Sequence, residues 1–456
     1  MNTYHDVKGL FSGSTTKPQE QPEDLFDPAI HLHYVCPQKH FTMRELLLPQ
    51  SETASPIAGT VPFPLLSAQG VRAYRRAMFH PEVLNHCASS PFPGTLVLRN
   101  AVQHSKFIRD FWTHPETLSA VSRAAGLPLE VIMPTEIGHT NIQVDGLTIS
   151  EMKSNLQFEP SNQKIELSLE DRMYDPLKDD TAIIPWHYDS YPYVCVLMLS
   201  ETDGMIGGET YIKRGDGTAQ RIEGPQIGHA VVLQGGEVEH LAARAKGVKE
   251  RISTITSYRS KVPATYDSSF MTNIRPYADL DALYPEWIKY RLQKSKDEIS
   301  HFIKRIEEQP KLASDRQGLD DLISKQIAYL QHTSRQIVEP ELESQIVQKF
   351  GRSTYYAAPV IWKKAQKLPE FETLATLADD NRTWRSDSAY WMDLQVSIEF
   401  IRLNKPLKGA LGCQSWKGGR YYMGDELIRQ GLNEMFLEWL EDSGLWKILN
   451  QTDLVR

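Results

Sequence analysis

From residue 139 to about 260 the chain alternates between short runs rich in β-branched and aromatic residues and breaks of Gly, Asp and Pro. The runs are NIQV, AIIPWHY, YVCVLMLS, GETYIKR, TAQRIEG, HAVVLQG and RISTITSYR. Runs this short, bounded by turn residues, predict strands rather than helices. The Gly215-Asp216-Gly217 stretch between two of them predicts a hairpin. Many short strands at this spacing predict an antiparallel barrel or jelly roll.

On either side the period changes. Helical patterning begins near Ser67-Ala68-Gln69 and recurs over 102–113 and 116–125, with Pro115 placed to open a helix. After 280, Ile288, Leu292, Ile299, Phe302, Ile303 and Ile306 fall at three- and four-residue steps, as do Leu319, Leu322, Ile323, Ile327 and Leu330. The segment 286–337 is therefore expected to be helical, covering the strand core or meeting another subunit. The division expected is a loose polar leader over 1–30, an irregular and helical region over 31–138, and the strand-rich core over 139–260. A helical segment over 261–340 and a mixed region over 341–456 that closes over the active site complete it. The resulting class is α+β.

Composition narrows the partners. Apolar residues make up 41% of the 456 and charged residues 24%, a globular profile. The 50 Lys and Arg against 58 Asp and Glu give a net charge of −8, which disfavours a nucleic-acid partner needing a concentrated basic face. Cys36, Cys87, Cys195 and Cys413 form no C-x-x-C pair, so neither a disulfide framework nor a thiolate zinc site is indicated. With no secretory leader pattern and no apolar run of membrane-spanning length, the expectation is a cytoplasmic protein without a membrane partner. The oligomeric state is not legible.

The candidate chemistry begins at Pro185-Trp186-His187-Tyr188-Asp189. His187 and Asp189 are two apart, so at a strand end both side chains take one face. His240 follows 51 residues after Asp189, past the apolar run Ala230–Leu233 and the Gly235-Gly236 turn. Two imidazoles and one carboxylate hold one face of an Fe(II) octahedron and leave positions open for oxygen chemistry. Ten residues separate His240 from Arg251, and Arg251 shares a strand face with Ser253. A guanidinium fork with a neighbouring hydroxyl suits a carboxylate.

These residues, H187-Y-D189, H240 and R251-I-S253, with Gly207-Gly208-Glu209-Thr210 between, resemble the 2-oxoglutarate/Fe(II) oxygenase superfamily over roughly 139–260. The longer stretch from PWHYDSYPYVCVLMLS to ERISTITSYRS resembles fungal members from specialised metabolism, among them a group that oxidises a free branched amino acid to an aziridine. The resemblance implies a double-stranded β-helix core with helical N- and C-terminal additions. It implies His187, Asp189 and His240 as catalytic metal ligands, and Fe(II), 2-oxoglutarate and O2 as cofactors. Arg251 and Ser253 would hold the co-substrate, with release of succinate and CO2 and oxidation of a small molecule's C–H bond by hydroxylation, desaturation or ring closure. Asp189 sets the chain apart from halide-transferring relatives, which lack that carboxylate.

Several residues have two readings. His139, Asn141 and Gln143 share one strand face; Asn141 and Gln143 are candidate co-substrate contacts, and ordinary sheet polarity explains them nearly as well. Tyr188, Ile398 and Phe400 are candidate substrate contacts; Tyr188 could line a pocket or simply pack, and core packing is the commoner explanation for Ile398 and Phe400. His229 is expected to pack or to face the co-substrate. His80-Pro81-Glu82 and His114-Pro115-Glu116 are expected to be helix starts. Rival readings are an iron-dependent oxidase that does without 2-oxoglutarate, a hydroxylase acting on protein or nucleic acid, and a non-enzymatic cupin-like module.

Overall fold

The computed structural model describes residues 23–50, 54–90, 95–144, 159–177, 184–265, 267–271, 274–309 and 316–337. The mixed region expected over 341–456, with Ile398, Phe400 and Cys413, lies outside the described residues. The described chain falls into two compact units, residues up to 185 with 191–267, and residues 186–190 with 268–337.

The strands are β1 (His40–Thr42), β2 (Ile57–Thr60), β3 (Phe63–Pro64), β4 (Ala88–Ser89), β5 (Thr95–Leu98), β6 (Leu129–Val131), β7 (His139–Val144) and β8 (Ile184–His187). They continue with β9 (Tyr193–Met198), β10 (Ile206–Gly207), β11 (Thr210–Lys213), β12 (Ala219–Ile222), β13 (His229–Leu233), β14 (His240–Ala242), β15 (Ala245–Lys246) and β16 (Glu250–Ser260). The large sheet runs β1-β2-β13-β9-β16-β7-β5-β4, with β3 on β13 and β6 on β16; a smaller sheet runs β12-β11-β14-β8. Every pairing registered between these strands is antiparallel, for example β16 with β7 and with β9. The hairpin expected at Gly215-Asp216-Gly217 joins β11 to β12, with Lys213 opposite Ala219 and Gly217 at φ +84°.

The eleven-residue β16 organises the large sheet because it is buried along nearly its whole length between two neighbouring strands. Ile252 and Tyr258 face one side with Ile142 of β7, Leu197 and Cys195 of β9, and Ala230 and Val232 of β13, all buried. That face packs on the helices Ala68–Met78, Lys106–Thr113 and Pro115–Ala125 through Val71, Tyr74, Phe111, Trp112 and Val121. Burial of aromatics on this scale dominates the stability, since truncating one to Ala costs about 3–5 kcal/mol. The helices are also tied to the sheet by polar links. Trp112 Nε1 donates to Tyr74 Oη at 2.9 Å, and Tyr74 Oη lies 2.9 Å from Thr254 Oγ1. Arg75, fully buried, pairs with Glu250 at 2.9 Å and donates to the Leu199 carbonyl at 2.8 Å.

The opposite face of the large sheet carries a second core. Val194, Val231 and Leu233 pack there with Ile212 and Ile222 of the smaller sheet and with Phe41 and Ala58. The unit is thus layered as helices, large antiparallel sheet and small antiparallel sheet.

Residues 31–138 contribute β1 to β6 as well as helices. The short strands in this proline-bearing stretch show little period-two signal, and Pro64 is accepted because β3 is only two residues long. Residues 23–30, expected as the end of a loose leader, are anchored: Glu23 accepts from the backbone N–H groups of Lys106 and Phe107, both at 3.0 Å. His80 and His114 start the helices Pro81–Cys87 and Pro115–Ala125, each accepting a backbone N–H through Nδ1 at 3.3 Å. That is the structural role expected of both His-Pro-Glu stretches.

The second unit contains the helices Leu280–Glu308 and Arg316–Arg335. Its buried face is not the aliphatic stripe counted in the sequence. Ile288, Leu292, Ile299 and Ile303 are exposed, while Leu283, Trp287, Tyr290, Arg291, Lys294 and Ser295 are buried. Arg291 explains this inversion. Its guanidinium carbon stands 3.5 Å from the Tyr329 ring centroid and 4.9 Å from that of Trp287, and its Nε donates to Thr333 Oγ1 at 3.1 Å. Aromatic faces and a hydroxyl thus replace water around the buried cation. No described helix is long and apolar enough to cross a membrane.

Candidate active site

His187 ends β8 and Asp189 follows two residues on, with His187 Nε2 3.6 Å from Asp189 Oδ1. His240 opens β14, where it stands opposite Ile212 of β11. The structure brings the three together: each offers one ligand atom, and these atoms lie within 4.8 Å of one another. His187 and His240 are buried and Asp189 is half-buried. His240 Nδ1 lies 3.0 Å from the Val238 carbonyl oxygen. A carbonyl only accepts, so Nδ1 carries the proton and the Nε2 lone pair remains for a metal. The donor set of two imidazoles and one carboxylate fits a divalent first-row ion, Fe(II) among them.

Arg251 is a second focus. It is only 8% exposed, yet it donates to two neutral acceptors: Nη1 to Ser253 Oγ at 3.3 Å and Nη2 to the Gly208 carbonyl at 3.1 Å. Nε is buried without a hydrogen-bond partner. Burial lowers the guanidinium pKa to about 10, against an opposing pull from the nearby Glu209 carboxylate. Glu209 is itself drawn toward Arg221, whose Nη2 donates to it at 2.5 Å. A buried cation with an unused N–H is an arrangement that an anionic ligand would complete.

Strand register sets the neighbours of Arg251. Gln143 is opposite Arg251, Asn141 opposite Ser253 and His139 opposite Ile255, while Met198 and Val196 of β9 oppose Ser253 and Ile255. Opposed residues share a face, so these side chains line the side of the large sheet that faces the second core. Four of them, His139, Asn141, Val196 and Ile255, are only half-buried although they sit on central strands.

No family model matches the chain, and no curated protein matches it. Solved structures that match include an oxidoreductase of the 2OG-Fe(II) oxygenase family from Burkholderia pseudomallei, 14% identical, covering 47% of this chain and 85% of that one, with a TM-score of 0.27. Another is HygX from Streptomyces hygroscopicus, solved with nickel, 2-oxoglutarate and hygromycin B. It is 14% identical and covers 45% of this chain and 84% of its own, with a TM-score of 0.28. A prolyl-4-hydroxylase from Pseudomonas putida matches at 18% identity over 43% of this chain and 89% of its own, with a TM-score of 0.23.

The remaining sequence candidates sort by their contacts. The Gln143 amide is engaged at both ends by Ala245, donating to its carbonyl at 2.9 Å and accepting from its N–H at 3.3 Å. Asn141, half-buried opposite Ser253, is the better placed of the two to meet a ligand. Tyr188 is buried. His229 is half-buried at the start of β13, its Nδ1 3.2 Å from the Ile227 carbonyl. Sequence reasoning gave no role to Gly208, and the geometry gives it one. It holds φ +76°, and an added Cβ would stand 2.7 Å from Met205 Cε and 3.2 Å from Arg251 Nε. The signal was the Gly207-Gly208 pair itself, since paired glycines mark close backbone approach.

Proposed function

We propose that this chain is a non-haem Fe(II)- and 2-oxoglutarate-dependent dioxygenase that oxidises a C–H bond of a small molecule. The observation that carries the reading is the convergence of His187, Asp189 and His240, two strands and a loop meeting at one point. In this reading the two antiparallel sheets around their shared core are a double-stranded β-helix. When bound, the iron would activate O2 with the co-substrate's decarboxylation to succinate and CO2 and so drive C–H oxidation.

The chain's own residues then divide the work. The imidazoles of His187 and His240 and the Asp189 carboxylate would hold the metal. The Val238 carbonyl keeps His240 in the ligating tautomer. Arg251 takes the distal carboxylate of 2-oxoglutarate, gaining an acceptor for its unused Nε, and Ser253 adds a hydroxyl. Asn141 contacts the co-substrate from the neighbouring strand, and Gln143 positions β7 through Ala245. The half-buried His139, Val196 and Ile255 stand on the same sheet face as Arg251, where a small substrate would meet them. Tyr188, Ile398 and Phe400 are further substrate contacts in this proposal. An amino acid oxidised in fungal specialised metabolism is the substrate class that the sequence resemblance suggests. A cytoplasmic setting accords with the free thiols of Cys36, Cys87 and Cys195.

The test is succinate formation by anaerobically iron-loaded protein given 2-oxoglutarate and air. Succinate from the wild type, absent in His187→Ala and needing far more 2-oxoglutarate in Arg251→Ala, is the expected result. Oxygen uptake on a candidate substrate without succinate would overturn the co-substrate assignment in favour of an oxidase.

A further inference from the structure

Among the described residues a second group with the same donor chemistry lies on the surface. The helix Pro81–Cys87 presents Glu82 and His86 at i and i+4, so both occupy one face. His104 arrives from elsewhere: after β5, Asn100 turns the chain at φ +61°, and the short helical turn Ala101–Gln103 delivers His104 beside them. Glu82, His86 and His104 each offer a ligand atom, and these atoms lie within 4.8 Å of one another. The Glu82 Oε1 atom is 3.4 Å from His86 Nδ1 and 3.5 Å from His104 Nδ1. The two rings stack at 4.5 Å between centroids with an interplanar angle of 5°.

We propose that Glu82, His86 and His104 form a second, surface divalent-metal site, selective for ions such as Zn2+ or Cu2+. One divalent ion would neutralise the carboxylate and take a lone pair from each ring. His86 Nδ1 also lies 2.9 Å from the Glu82 backbone carbonyl. An ion bound there would displace that contact, because the Nδ1 facing the Glu82 carboxylate can ligate only without its proton. The donors are borderline nitrogen and hard oxygen, and the order of divalent affinities favours copper and zinc over iron at such a site. The bound ion would tie the helix Pro81–Cys87 to the segment following β5, so its binding stabilises the fold by mass action. None of the three residues belongs to the buried His187–Asp189–His240 group, and the inference stands whether or not the chain is an oxygenase.

The experiment is calorimetric titration of the full chain with Zn2+ alone near neutral pH. The proteins compared are wild type, His187→Ala/His240→Ala, and that double variant carrying His86→Ala/His104→Ala in addition. The expected result is that the double variant still binds one equivalent and that the added substitutions weaken this binding by on the order of tenfold or more. Cu2+ added to the double variant should show nitrogen hyperfine splitting from imidazole by electron paramagnetic resonance, lost with His86 and His104. A double variant that binds no Zn2+, or whose binding is unchanged by removing His86 and His104, would overturn the proposal. Glu82→Gln, a near-isosteric change at an exposed position, checks that any loss reflects the ligands rather than misfolding.

Discussion

The guanidinium of Arg251 donates to the carbonyl of Gly208 at 3.1 Å, a contact from β16 to the turn between β10 and β11. The contact fixes one edge of the guanidinium and leaves Nε buried without an acceptor. Gly208 is needed for two reasons: its φ of +76°, and the 3.2 Å that would separate an added Cβ from Nε. Gly208→Ala is therefore expected to displace Arg251 and to raise the 2-oxoglutarate concentration for half-maximal succinate formation by on the order of tenfold. Arg251→Lys should raise it at least as much, because a point ammonium cannot reproduce the fork. Half-saturation constants for the two variants, with iron content measured beside them, check this. A normal constant in both would remove Arg251 from the co-substrate site.

Metal binding should divide the candidate residues cleanly. His240→Ala and Asp189→Ala each delete a ligand of the buried group, and an expected loss in Fe(II) affinity of on the order of a hundredfold follows from leaving two donors. Ser253→Ala removes a hydroxyl 3.3 Å from Arg251 and no ligand, so its iron binding should match wild type. Equilibrium dialysis under anaerobic conditions distinguishes the two groups. Full iron retention in Asp189→Ala would place the metal elsewhere.

What the sequence made legible follows from where its periodicities are strong. The runs over 139–260 became β7 to β16 because β-branched residues alternate there with turn residues at the breaks, and the faces assigned to Arg251, Ser253, Asn141 and Gln143 follow from the same alternation. The grouping of His187, Asp189 and His240 was legible from ligand chemistry combined with the resemblance of their spacing to the oxygenase pattern. The strands before residue 139 were hidden because pieces such as Phe63–Pro64 are too short for a period and are held by partners far along the chain. The buried side of Leu280–Glu308 was misjudged for another reason. An arginine sandwiched by Trp287, Tyr290 and Tyr329 looks like a surface charge until its aromatic neighbours are known. His104 likewise joins Glu82 and His86 only through the turn at Asn100.

The Arg75–Glu250 pair gives a stability prediction separate from catalysis. Burial pulls the Arg75 pKa down, and the Glu250 carboxylate at 2.9 Å offsets that cost. Arg75→Ala leaves the Glu250 charge buried without its partner and should destabilise the protein by about 3–5 kcal/mol. Replacing both residues, Arg75→Met with Glu250→Leu, should cost markedly less, since no unpaired charge remains. Urea unfolding of the two variants, followed by circular dichroism, provides the comparison. Equal losses would mean that packing, not charge, sets the contribution of this pair.

His139 predicts a pH dependence of stability whose sign can be worked out. Burial holds its pKa well below the ordinary 6.5, the Arg99 cation acts the same way, and a hydrogen bond with Asn141 opposes them. Its Nε2 is buried without a partner, so the folded protein keeps the ring neutral. The unfolded chain protonates the same ring near pH 6.5 and therefore binds more protons below that value. Stability from this group is full above pH 6.5 and falls as the pH drops toward the folded-state pKa, by at most about 1.4 kcal/mol per pH unit. His139→Gln has no titrating ring, so the stability difference between wild type and variant should shrink in the wild type's disfavour on acidification. Denaturant unfolding of both proteins at a pH above 6.5 and at one well below it measures that difference directly. A difference that does not change with pH would show that His139 takes up its proton equally in both states, and the neutral ring assigned to the folded protein would have to be abandoned.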